Sequence, residues 1–296
     1  MNDAALHTDA LAVDHAHLEQ ATRAALLQIG DDNFLYIPRR EGVQIEHAVD
    51  GHVDQAGRLV VLVAHGRMVY ARAMLLGHPT ATVIAALRPH LLEGRAARID
   101  AVIAGRLVGV ECVLEDLHDP HNAGAALRSC ESMGVQRVSL VTSVNGFRTS
   151  PRVTQGAEKW LDVKRFSDAA SCARALHDRG VRLLAAIPGG RLSLEAIDPA
   201  QPVALAFGNE HTGLSPQLQE LADDSFGIPM HGFSQSLNVS VSVAVSLHVT
   251  TEARRRAIGR ATDLDQASAD LLRARYYAMD VRKPEAMIAR YLREAG

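Results

Sequence analysis

Residues 203–222 read VALAFGNEHTGLSPQLQELA. The apolar run Val203–Phe207 is the right length for a buried strand and too short for a helix. Gly208 ends it, and a polar, glycine-containing loop continues to Ser215. Ser215 is a good helix cap and Pro216 suits a first helical position, so Pro216–Ala222 is expected as a short helix. This order of strand, loop and helix recurs on either side. Leu107–Leu114, Arg137–Thr142 and Val181–Ile187 read as strands, the last closed by Pro188. Asn122–Met133 and Ser167–Arg179 read as helices, the second capped by Ser167 or Asp168 and stopped by Gly180. Phe226–Ile228 reads as a brief strand. Strands alternating with helices predict a parallel α/β sheet with crossover helices. Nearly continuous apolar strands predict that both faces are covered. Ligands in such sheets bind beyond the carboxyl ends of the strands, which selects the loops after Leu114, Ile187, Phe207 and Ile228.

The flanking regions read differently. Leu91–Gly105 is helical in pattern. Before it, residues 1–90 are an N-terminal extension, with a helix expected over Asp3–Gln28 and short strands within residues 34–51 and 58–77. The α/β domain spans residues 91–257. Residues 258–296 form a tail of two amphipathic helices parted near Lys283 and Pro284. Asn238–Thr250 supports two readings. Val239, Val241, Val243 and Val245 alternate as in a strand, yet TEARRRAIGR (residues 251–260) follows without a turn and favours a helix.

The chain has 296 residues, 47% hydrophobic and 22% charged, enough for a well-filled core. Its formal net charge of −3 is not that of a strongly basic nucleic-acid binder. Cys112, Cys130 and Cys172 form no close pair, which argues against a disulfide framework or zinc knuckle and fits the cytoplasm. The run Leu59–Ala64 is too short to span a membrane. MNDAALHTDALAVDHAHLEQ at the start lacks the basic and apolar regions of a secretory leader.

Three segments have the composition of a site. The first is LEDLHDPHNAGAALRSCESMGV, residues 114–135. Asn122 is a plausible helix cap, and the helix start offers free N–H groups to an anion. Arg128, six residues on, could hold a phosphate or approach a hydroxyl. The plainer alternative is a cap and a surface arginine. His118 and His121 lie near Asp116 and Asp119, but no further ligand cluster accompanies them, so no metal is expected. The second segment is AFGNEHTGLS, residues 206–215. Gly208 and Gly213 have P-loop spacing, but Leu214 stands where nucleotide hydrolysis needs lysine. The glycines would let a ligand approach the backbone closely, with Glu210 as the one charged group; a tight strand–helix turn is the alternative. The third is IPMHGFSQSLNVSVSVA, residues 228–244, with Ser234, Gln235, Ser236 and Asn238 able to satisfy a ligand, or forming a plain capped loop. Neither GxGxxG nor GxSxG occurs. The lone Trp160, in GAEKWLDV, reads as core.

In this order, the three segments resemble the signature motifs of the SPOUT RNA methyltransferases, in the SpoU or TrmH-like branch. The resemblance covers about residues 98–256, including GAEKWLDV, and more weakly the tail RARYYAMDVRKPEAMIARYL. It implies an α/β fold with a trefoil knot in the C-terminal half, and hence a helix from Asn238. It also implies a homodimer whose active sites are built from two subunits. The implied reaction is 2′-O-methylation of RNA ribose with S-adenosylmethionine. The match favours tRNA with a D-loop guanosine (position 18) as target, rRNA being the alternative. Residue by residue, it implies catalytic or positioning roles for Asn122, Arg128, Glu210, Ser236 and Asn238. It places the cofactor against Ala186, Ile187, Gly208, Asn209, Ile228, Met230, Ser236 and Leu237, with no metal. A non-catalytic RNA-binding protein of the same fold, or an unrelated nucleotide-binding α/β protein, are the readings from other classes. Six basic residues between Arg137 and Arg165 face two acids there (Glu158 and Asp162), and ten more basic residues follow from Arg254. These are candidate phosphate contacts.

Overall fold

The structure is a computed structural model and describes residues 57–58, 62–64, 67–69, 74–142 and 154–295. Its chain divides into two units at Thr80 and Ala81. In the first, Leu62–Ala64 pairs antiparallel with Arg67–Val69. Met74–Leu75 pairs antiparallel with both Gly57–Arg58 and His78–Pro79. These agree with the short strands expected between residues 58 and 77. The helix expected over Asp3–Gln28 and the strands within 34–51 lie outside the described residues.

The second unit is built on a six-stranded sheet. Its strands are β1 (Val110–Glu115), β2 (Arg137–Val141), β3 (Asp162–Phe166), β4 (Arg182–Ala186), β5 (Val203–Phe207) and β6 (Asp224–Phe226). They lie in the order β3-β2-β1-β5-β4-β6, every neighbouring pair parallel. The helices are α1 (Thr80–Leu87), α2 (Glu93–Ile103), α3 (Pro120–Ser132), α4 (Ala169–His177), α5 (Pro216–Leu221), α6 (Val239–Ile258), α7 (Gln266–Asp280) and α8 (Pro284–Ala295).

β1 and β5 are buried along their whole lengths because helices cover both faces. Side chains alternate between faces along a strand. Val110, Cys112 and Leu114 therefore pack with Ala123, Leu127 and Cys130 of α3 and with Val243 and Leu247 of α6. Val113 packs on the opposite side, with Cys172 and Leu176 of α4 and Leu218 of α5. Each covered Leu or Val contributes about 1.5–3 kcal/mol relative to exposure.

Two acids interrupt this apolar pattern. Glu111, 2% exposed, meets the Arg179 guanidinium at 2.6 and 2.7 Å and Arg137 at 3.3 Å. This pairing ties the turn after α4, and β2, to the middle of the sheet. Glu115, at the far end of the same strand face, is equally buried.

Several expected bounds move. β3 was not expected. It is an edge strand, half-buried except for exposed Arg165 and buried Phe166, so its sequence DVKRF lacks the apolar run that marks its neighbours. The last strand runs over Asp224–Phe226 and not Phe226–Ile228, because Asp224 pairs with Leu184 and Phe226 with Ala186. Asn122 does not cap α3: Asp119 does, accepting from the His121 amide at 2.8 Å ahead of Pro120. Asp168 is the cap of α4. Asn238 caps a twenty-residue α6, so the valine alternation belongs to a helix. Val243 faces the core while Val241 and Val245 are 45% and 38% exposed.

Much of the basic tail is internal fastening. Arg254 binds Asp263 and the Pro199 and Ala200 carbonyls. Arg255 reaches the Gly105 and Met133 carbonyls. Arg273 pairs with Asp100 and Asp270, and Arg275 with Asp162. Trp160 is part of the same attachment: its carbonyl accepts from Tyr276 Oη at 2.6 Å, and the two rings meet edge to face 5.0 Å apart. Among the described residues, no helix is long and apolar enough to cross a membrane. Replacing Glu111 with Ala strands two arginines against the sheet, and the expected cost is about 3 kcal/mol in a urea titration. A loss under about 0.5 kcal/mol would show that the pairing is dispensable.

Candidate active site

The strand order reverses between β1 and β5, which run side by side in the register Leu114↔Phe207. The loops leaving their carboxyl ends meet there, at the place where open α/β sheets bind their ligands, and are joined by hydrogen bonds from Asn209 and Glu210 to the first segment. The first-segment loop leaves β1 through Asp116, held in the left-handed region at φ 46°. The second-segment loop leaves β5 at Gly208. A Cβ on Gly208 would lie 2.2 Å from the Gly213 carbonyl carbon and Leu214 nitrogen, so only glycine permits this tight return.

Asn209 builds the loop. Its backbone exchanges hydrogen bonds with Gly213 at 3.0 and 2.9 Å. Its side-chain oxygen accepts from the His211 and Thr212 amides, and its Nδ2 donates to the Asp116 carbonyl at 2.9 Å.

Glu210 then sits over the first loop. Its carboxylate accepts from the His118 and Asp119 amides at 3.1 and 3.3 Å and from Asn122 Nδ2 at 2.8 Å. Asn122 Oδ1 in turn accepts from Asn238 Nδ2 at 3.0 Å. Asn238 Oδ1 accepts from the Ser240 amide at 2.9 Å and from its hydroxyl at 2.6 Å. The amide orientations follow from the ends of this chain. A carboxylate only accepts, so Asn122 must turn its nitrogen to Glu210; a helix amide only donates, so Asn238 must turn its oxygen to Ser240. Both demands give the same polarity, and the three segments are joined by one relay.

Partial burial would raise the Glu210 pKa. The Asn122 hydrogen bond and the backbone amides outweigh that effect and hold it below the usual 4.5. Glu210 is therefore a fixed negative charge at neutral pH and an orienting group, with no proton to exchange.

The other sequence-selected residues lie around this relay. Arg128 is exposed on α3, six residues past Asn122 and so about 120° away around the helix axis. Ser236 and Met230 belong to the loop leaving β6. From Ile228 to Leu237 this loop makes no hydrogen bond with the described residues. Ile228 and Leu237 are half-buried along it, as is Ile187 on the loop after β4. The start of the loop leaving β6 is locked to the loop after β4: the Ile187 amide donates to Phe226 O, Leu192 to Ser225 O, and Gly227 to Leu192 O. A Cβ on Gly190 would lie 2.3 Å from the Phe226 carbonyl carbon. Bare backbone beside apolar side chains suits a flat, uncharged heterocycle read through its hydrogen-bonding edge. His118 and His211, whose rings meet at 6.1 Å, stand on the two loops flanking Glu210. Sequence reading selected the first of these only as a possible metal ligand. No group of three or more possible ligands is placed to hold a metal among the described residues.

A depressed folded-state pKa means that the contribution of Glu210 to stability is complete above 4.5 and lost as pH falls through the lowered value. The unfolding free-energy difference between wild type and Glu210→Gln is expected to stay constant from about pH 6 to 8 and to shrink in acid. A difference that titrates between pH 6 and 8 would contradict this assignment.

The same segments are shared with known proteins. The SpoU rRNA Methylase family model matches residues 109–248, from the start of β1 into α6. A tRNA (guanosine(18)-2′-O)-methyltransferase of Thermus thermophilus is 35% identical over 166 residues, 56% of this chain and 86% of that protein. One from Borreliella burgdorferi is 30% identical over 201 residues, 67% and 91%. The solved TrmH/SpoU tRNA modifying enzyme of A. aeolicus superposes with a TM-score of 0.58 at 26% identity, covering 64% of this chain and 98% of that one. With its sheet order, its three linked segments and these relatives, the chain belongs to the SpoU methylase family.

Proposed function

We propose that this chain is an S-adenosylmethionine-dependent 2′-O-ribose methyltransferase acting on tRNA, with a D-loop guanosine at position 18 as its target. The observation behind this reading is the relay from Glu210 through Asn122 to Asn238, which brings all three segments to one crevice. The relatives named as tRNA (guanosine(18)-2′-O)-methyltransferases support the substrate. The description of the matching family favours rRNA as a second reading.

The loops after β4, β5 and β6 fit the cofactor. Ala186, Ile187, Gly208, Ile228, Met230, Ser236 and Leu237 would line it, with Asn209 shaping the loop around it. When bound, S-adenosylmethionine supplies an electrophilic methyl group. Transfer would move that methyl from the sulfonium sulfur, which keeps the bonding pair and leaves as S-adenosylhomocysteine, to the ribose 2′-oxygen, whose proton would go to solvent or to a substrate phosphate. Arg128 cannot take it, because a guanidinium stays protonated to above pH ~12. Its role is to stabilise the negative charge growing on the oxygen. Asn122 and Asn238, oriented by Glu210, position the ribose, with Ser236 beside them.

Arg128 projects well around α3 from Asn122, which supports a homodimer in which one subunit's Arg128 completes its partner's site. The exposed Val241 and Val245, one turn apart on α6, offer a surface for that association. The interlocked loops around Gly190 and Gly227 support a trefoil knot in residues 91–257, the methyltransferase domain. Residues 258–296 are then a helical tail and residues 1–90 an extension, in a cytoplasmic enzyme.

Labelled methyl transfer to unmodified tRNA, and separately to rRNA, should yield a 2′-O-methylated guanosine in tRNA. Transfer only to rRNA would select the second reading, and transfer to neither would overturn the enzyme. Arg128→Ala should lower kcat by roughly 10²-fold or more while leaving Tm nearly unchanged. A fully active variant would remove Arg128 from the chemistry.

A further inference from the structure

Glu115 is the last residue of β1, and its side chain is 2% exposed. Both of its oxygens are used on one residue: Ser215 donates its amide to Oε2 at 2.7 Å and its hydroxyl to Oε1 at 2.7 Å. Ser215 Oγ also accepts from the Leu218 amide at 3.1 Å, capping α5. Burying a carboxylate carries a desolvation penalty that an apolar residue would avoid. The cap itself needs only the serine. The acid is therefore placed for what it does to the loop that ends at Ser215.

That loop hangs from two consecutive residues of the first segment. Its beginning is tied by Asn209 to the carbonyl of Asp116, and its end by Ser215 to the side chain of Glu115. Between these ties, Glu210 reaches the His118 and Asp119 amides and Asn122. With one end released, Gly208–Ser215 would keep its glycines but lose the span that sets the height of Glu210 above the first loop.

We propose that Glu115 is a positioning residue for methyl transfer, holding Ser215 so that Glu210 can orient Asn122 and Asn238. The kinetic part of this inference rests on the methyltransferase reading; the structural part does not. Glu115→Gln is the conservative probe. It keeps the volume but offers one acceptor and one donor, so the Ser215 hydroxyl must turn from donating to accepting and both charge-assisted bonds become neutral, weaker ones.

The test combines Glu115→Gln, Ser215→Ala, Glu210→Ala and the Glu115→Gln/Glu210→Ala double variant. Steady-state kinetics on tRNA would be read beside amide exchange at His118 and Asp119. Glu115→Gln is expected to lower kcat about tenfold with KM for tRNA within about twofold. Exchange at His118 and Asp119 should quicken by about tenfold, as their carboxylate acceptor shifts. Ser215→Ala should act in the same direction and provides the test if Glu115→Gln does not fold. In the Glu210→Ala background, Glu115→Gln should cost nothing further, because its effect passes through Glu210. Normal kcat and unchanged exchange in Glu115→Gln would overturn the proposal, as would multiplicative losses in the double variant. A wild-type protein that methylates no RNA would instead defeat the methyltransferase reading, while the exchange measurements would still decide the role of Glu115.

Discussion

The Glu210 carboxylate accepts three N–H groups, two from the backbone of another loop and one from Asn122, and the order of the crevice depends on these bonds being made together. Two backbone amides fix where the carboxylate lies. The bond to Asn122 then propagates its charge as a direction: nitrogen toward Glu210, oxygen toward Asn238, and so on to the first turn of α6. The Ser240 amide imposes the same polarity from the other end, so the two amides are oriented from both sides, and the carboxylate adds the charge that strengthens the bonds it accepts. The depressed pKa expresses the same fact, since donors converging on the ionised form are what lower it.

Around this fixed point the two walls of the crevice differ in rigidity. The loop after β5 is closed by glycine contacts, Asn209 and Ser215, and has little backbone left to offer. The loop after β6 is locked only at its start, through Gly227, and then runs to Leu237 without a hydrogen bond to the described residues. A site that must hold a reacting oxygen within a fraction of an ångström needs the first kind of wall. One that must admit and release a cofactor benefits from the second, whose polar backbone groups are satisfied by solvent until a ligand takes its place.

The sequence shows its buried strands more plainly than its edges. VALAF identifies β5 residue for residue because both of its faces are covered. DVKRF, at the edge, gives no such pattern, since its side chains face solvent on one side. The valines of α6 alternate like a strand because the helix has apolar residues on two faces, one toward the core and one outward. Periodicity cannot separate those cases; the Asn238 cap and the uninterrupted continuation to Ile258 do. Asn122 was legible as a polar residue at a helix start, but its partner lies 88 positions away in Glu210. Local sequence shows that such a side chain can cap. Only the register of β1 against β5 shows that it instead reaches across.

The charges follow a similar logic. Arg254, Arg255, Arg273 and Arg275 look from the sequence like a basic face for a polyanion, yet each is engaged with carboxylates or carbonyls of the same chain. From Arg254 onward the exposed basic residues are Arg256, Arg260, Arg282, Lys283, Arg290 and Arg293, with Arg290 paired to Glu294. With a net charge of −3, the protein has little long-range attraction for RNA to draw on. Under the proposed function, recognition must therefore be local. A few exposed cations would supply phosphate contacts, and the oriented amides of Asn122 and Asn238 would select the ribose. Internal fastening by arginine serves that arrangement: the groups that could have bound any polyanion are used to hold the tail and α6 where the relay needs them.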